Sequence, residues 1–166
     1  LAFAALALSL YGLTEALRPR VEHLQIPTAK LPPEAGRLRI VQISDVHLGM
    51  LMGPRRFGRI LDQVRALEPD LLLSTGDLVD GRAHHLDGLA QLLSAYRPRL
   101  GKYAVTGNHE YIVGIERALD FHARAGLTLL RGSAVEPVRG LLLAGVDDGA
   151  APRFEQSGIV DETVAL

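Results

Sequence analysis

Three short strings hold residue types that can bind a divalent cation: Ser44-Asp45-Val46-His47, Thr75-Gly76-Asp77-Leu78-Val79-Asp80-Gly81 and Thr106-Gly107-Asn108-His109-Glu110. Their donors are carboxylate oxygens, an amide carbonyl and imidazole nitrogens, a mixed set that suits Mn, Fe, Zn, Co or Ni. There is no cysteine, so thiolate sites, disulfides and Cys nucleophiles are excluded. Gly76 and Gly107 stand directly before ligand candidates, where a side chain would crowd the backbone's approach to an ion. The bland reading is ordinary turn and N-cap chemistry. It requires Asp45, His47, Asp77 and Asn108 all to be placed by coincidence.

The elements behind these strings repeat. Each string follows an apolar, β-rich run: Leu38–Ser44, Leu71–Ser74 and Lys102–Thr106. Such runs read as buried parallel strands, and ligands in an open α/β sheet sit beyond the strands' carboxyl ends. Between them, Arg56–Leu67 carries Phe57, Ile60, Leu61, Val64 and Leu67 on one helical face and is ended by Pro69. Leu86–Tyr96 and Ile115–Ala125 also read as helices. Strands separated by helices imply right-handed βαβ crossovers and a parallel sheet. Thr128–Arg131, Val135–Arg139 and Leu141–Val146 read as a late meander of short strands, the start of a second sheet.

At this point the strings QISDVHLG, TGDLVDG, TGNHEY and LLLAGVDD resemble the calcineurin-like metallophosphoesterase superfamily, in its bacterial, often membrane-tethered branch. The resemblance implies a four-layer αββα sandwich, of which this chain would hold the first sheet, its helices and part of the second. It further implies a dinuclear centre of two divalent transition-metal ions. Asp45 and His47 would hold one ion, Asp77 would bridge both, and Asn108 would bind the second. His109 would not be a ligand but the hydrogen-bond or proton donor to the phosphoryl or leaving oxygen. Glu110 would orient His109 or the loop, although a solvated first-turn carboxylate facing the helix dipole fits the residue as well. The implied activity is hydrolysis of a phosphomonoester or phosphodiester by metal-activated water.

The superfamily completes its centre with further histidines and a G-H-x-H motif, whereas no histidine follows His122 here. We therefore read the chain as a piece of a longer parent. The expectation is partial metal binding by the piece and turnover by the parent. The alternative is a protein-binding scaffold with a degenerate site.

Other residues have two readings. Asp80 is expected in a structural Asx-turn, His84 and His85 in an exposed loop, and His122 in packing or on the surface. Tyr111 is a pocket-border or core aromatic. Asp147 and Asp148 are either turn carboxylates or neighbours of the site. No phosphate-binding G-x-x-x-x-G-K, dinucleotide G-x-G-x-x-G or G-x-S-x-G serine elbow occurs. A net charge of −1 gives no nucleic-acid footprint.

Three segments follow. Residues 1–17 form an apolar helix (LAFAALALSLYGL at its core), expected to be a membrane anchor or the end of one, with the side of the membrane open. Residues 18–36, with Pro27, Pro32 and Pro33, form a tether in which a short strand His23–Ile26 could form. Residues 37–166 are expected to be the metallophosphoesterase domain, incomplete at its C-terminus, and at 48% hydrophobic composition for the whole chain able to bury a core.

Overall fold

The structure is a computed structural model that describes residues 2–16, 19–49, 52–80, 86–149, 151 and 161–165; His84 and His85 lie outside these. Strand β1 (Ile40–Ile43) leads to helix α2 (Pro54–Ala66), β2 (Leu71–Thr75), α3 (Leu86–Ser94), β3 (Lys102–Val105), the short α4 (Asn108–Ile112), α5 (Ile115–Arg124) and β4 (Thr128–Leu129), preceded by α1 (Ala2–Ala16). The four strands form one parallel sheet in the order β1-β2-β3-β4. Successive right-handed crossovers that always step the same way leave their helices on one face. Accordingly α3 packs against both α2 and α5.

Alternation within the strands assigns the two faces. Val41, Ile43, Leu72 and Ala104 join Phe57, Leu61, Val64, Leu89, Leu93 and Phe121 in the helix-side core. Ile40, Gln42, Thr75 and Val105 point the other way. Over that second face lies an antiparallel hairpin of β5 (Ser133–Val138) and β6 (Leu141–Gly145). Gly145 is the contact: a Cβ there would stand 2.6 Å from both Leu130 Cβ and Val105 Cγ1, so only glycine lets the layers approach this closely. Helix layer, parallel sheet and second antiparallel sheet together make an α/β architecture of the kind the sequence resemblance implies. Ile40, Gln42 and Thr75 stay exposed, in keeping with a second sheet that covers only part of that face.

Two expectations are corrected. The first strand of the supposed meander, at Thr128, instead extends the parallel sheet as β4, because α5 completes one more crossover. His23–Ile26 forms no strand; its Leu24 and Ile26 are exposed and have no strand to pair with. Asn108–Ile112 is a short helix of its own, with Glu110 in its first turn. Helix α1 is apolar all round and exposed, with Phe3, Leu6, Leu8, Leu10, Tyr11 and Leu13 all at least 55% accessible. At 15 residues it is shorter than a membrane crossing requires; among the described residues no helix is long and apolar enough to span a membrane.

Candidate metal centre

Past their strands, the β1 and β2 chains keep running side by side. Asp45 N–H donates to Gly76 O (3.2 Å), His47 N–H to Asp77 O (3.0 Å) and Leu48 N–H to Leu78 O (2.8 Å), while Asp80 N–H returns to Leu48 O (2.9 Å). This register requires Asp45, His47 and Asp77 to take left-handed backbone angles, with φ of 53°, 49° and 50°. Such angles cost a non-glycine residue about 1 kcal/mol or more and gather at functional sites. The third loop comes in at Gly107. A Cβ on Gly107 would fall 2.6 Å from Asp77 N and closer still to its Oδ1.

That approach brings the side chains together. One ligand atom each from His47, Asp77 and His109 lies within 4.8 Å of the other two. The two imidazoles meet edge to face with centroids 4.4 Å apart. His109 N–H donates to Asp77 Oδ1 (2.9 Å), which fixes the bridging candidate against the third loop. Among the described residues, His47 Nδ1 is buried without a hydrogen-bond partner. An orphaned imidazole nitrogen beside a carboxylate and a second imidazole is a donor set that suits a borderline divalent cation.

Of the residues singled out from sequence, His47, Asp77 and His109 converge, and Asn108 opens α4 next to His109. Asp45 lies in the same strand-end loop but outside the three-residue cluster; its carboxylate accepts from Ser44 Oγ. Asp80 is a correction. It is no mere turn residue: Oδ1 lies 3.2 Å from His109 Nδ1 and Oδ2 3.6 Å from His47 Nδ1, so one carboxylate faces both rings. Its place three residues after Asp77 was the available signal.

Glu110 is not solvated. It is wholly buried and binds backbone N–H groups of Asp77 and Gly107 through Oε2 (3.0 and 2.7 Å) and of Leu78 and Val79 through Oε1 (2.8 and 3.0 Å). Tyr111 is core rather than rim; burial raises its phenol above the ordinary range, and its neighbours there are Thr106, Asp147 and Arg131. Asp147 is buried, accepting from Thr106 Oγ1 (3.0 Å) and Arg131 Nε (2.7 Å), and so ties the second sheet to the residue before Gly107. His122 is a packing residue. Its Nδ1–H donates to Ala118 O (2.7 Å), and burial lowers its pKa although the Glu110 charge opposes this.

Comparison with known proteins identifies the family. The family described as calcineurin-like phosphoesterase matches residues 38–158. The chain belongs to that family. A metallophosphoesterase of Aquifex aeolicus is 43% identical over 164 residues, covering 99% of this chain and 62% of its own length. A zebrafish (Danio rerio) transmembrane protein with a metallophosphoesterase domain is 36% identical, covering 91% of this chain and 36% of its own. The UDP-2,3-diacylglucosamine pyrophosphatase LpxG of Chlamydia muridarum is 35% identical over 52% of this chain and 26% of its own length. The chain thus spans less than two thirds of these relatives. No solved structure matches it.

Proposed function

We propose that the full-length protein is a metal-dependent phosphoric ester hydrolase whose dinuclear centre lies at the carboxyl edge of the parallel sheet. The observation that carries this is the convergence of His47, Asp77 and His109 within 4.8 Å on three successive strand-end loops. Asp45 and His47 would hold one ion, Asn108 the other, and Asp77 both. When bound, such ions polarise phosphoryl oxygens and stabilise charge on the attacking and leaving oxygens. His109 is the proton donor to the leaving oxygen. Its Nδ1–H is held by Asp80, which fixes the tautomer and leaves Nε2 as the nitrogen that exchanges a proton.

The substrate reading is a phosphomonoester or phosphodiester, and among these a lipid-linked or nucleotide-sugar diphosphate. The exposed apolar α1 supports membrane association, as does the name of the transmembrane zebrafish relative; the LpxG name supports a diphosphate with a lipid portion. The test is phosphate release by full-length protein from p-nitrophenyl phosphate, its bis ester and a lipid-linked nucleotide diphosphate, with Mn²⁺ or with chelator. Mn²⁺-dependent turnover that disappears in Asp77→Asn supports the proposal. Equal turnover in Asp77→Asn, or none on any ester with any of the five metals, contradicts it.

A further inference from the structure

We infer that Glu110 is a positioning residue that locks two metal-binding loops to each other, and that it does not act through His109. The inference rests on the proposed centre only for its effect on metal; the lock itself is a property of the fold. Glu110 sits in α4, yet three of its four partners, the N–H groups of Asp77, Leu78 and Val79, lie 31 to 33 residues earlier in the chain. The fourth is the N–H of Gly107, in its own loop. Each carboxylate oxygen takes two donors. Oε2 in particular bridges Asp77 and Gly107, and a Cβ on Gly107 would overlap Asp77.

All four partners are donors, so the group they bind is a carboxylate accepting on both oxygens. No lysine or arginine pairs with it among the described residues, and an isolated buried carboxylate is costly unless hydrogen-bonded this fully. In return, backbone donors that no strand ladder or helix satisfies find partners. The bonds also oppose relaxation of Asp77 from its left-handed angle, which aims its carboxylate at the cluster. His109 is held elsewhere, by Asp80 at Nδ1 and by Asp77 at its N–H.

A shorter or neutral side chain breaks the lock differently. Glu110→Gln replaces one acceptor oxygen with an NH₂ that faces N–H donors. Glu110→Asp keeps the charge and cannot reach both loops. Amide hydrogen exchange on metal-free full-length protein reads the lock, and Mn²⁺ titration reads its consequence. In the wild type, the Leu78, Val79 and Gly107 amides should exchange as slowly as strand amides. In both variants that protection should fall by at least tenfold while the amides of β2 and β3 keep theirs. Mn²⁺ affinity should drop about 10- to 100-fold, the usual range for groups that orient ligands. Asp80→Asn should leave the three amides protected. Fast exchange of these amides in the wild type overturns the inference even if the variants fail to fold. So does wild-type protection together with wild-type Mn²⁺ affinity in both variants. If the wild type binds no Mn²⁺, the proposed centre fails, and the amide protection still decides the lock by itself.

Discussion

The two edges of the parallel sheet use their polar residues to opposite ends. At the amino edge, Asp70 accepts Arg39 N–H at Oδ2 (2.8 Å) and Arg99 Nε at Oδ1 (2.6 Å). Arg39 Nη1 donates to Leu67 O at the end of α2 (2.5 Å). Lys102 Nζ donates to Leu93 O in α3 and, at 2.7 Å, to Ala125 O after α5. Cations thus meet the helix C-termini, where orphan carbonyls and the macrodipole favour them. At the carboxyl edge, carboxylates and imidazoles gather instead, His47 Nδ1 has no hydrogen-bond partner among the described residues, and Asp45, His47 and Asp77 are held in left-handed conformations. One edge is a closed polar network that serves stability. The other gathers three left-handed non-glycine residues, against Glu68 alone at the amino edge, and keeps donor capacity for something outside the chain.

Substitutions can break that contrast. Gly107→Ala should have the largest effect, since its Cβ would overlap Asp77; we expect a loss of about 2–3 kcal/mol by denaturant unfolding together with loss of Mn²⁺ binding. An alanine variant with wild-type stability and affinity would show that the loops are not in contact. Asp80→Asn should lower kcat about 10- to 100-fold through misplacement of His109 while the melting temperature stays constant, as expected of an open edge.

Lys102 sharpens the other side. Burial lowers its pKa to about 8 from 10.5. Between those values the unfolded chain holds the extra proton, so stability contributed by this group rises with pH. Relative to Lys102→Met, the wild type should gain roughly 2 kcal/mol between pH 8 and 10.5. Parallel curves for the two proteins would contradict the lowering of the Lys102 pKa by burial. Asp70→Asn should matter least, under about 1 kcal/mol for a pair whose arginine is exposed. Because the Arg99 bond holds the Asp70 carboxyl below its ordinary range, that contribution is present above the ordinary value and is lost as pH falls through the folded one. Urea melts at pH 7 and pH 3 would read it.

The strand–helix alternation and the three strand-end strings were legible because hydrophobic period and glycine placement are local signals. Local patterns cannot show bonds between distant loops. Glu110 reads from sequence as a first-turn carboxylate, and only its partners 31 to 33 residues away reveal a buried lock. Asp80 is visible in the string TGDLVDG yet reads as a turn residue, since nothing local says that both histidines fold back onto it. Lys102 carried no signal: a lysine that opens a strand looks solvent-facing, and the carbonyls it caps belong to two separate helices. The two-residue β4 joined the wrong sheet because so short a run has no register of its own.

The claim beneath all of this is that the carboxyl edge holds divalent cations. Calorimetric titration of Mn²⁺ into the full-length protein and its Asp77→Asn variant tests it most directly. The account predicts two ions per wild-type chain and at least a tenfold loss of affinity in the variant. No binding by the wild type, or identical isotherms for the two proteins, would contradict it.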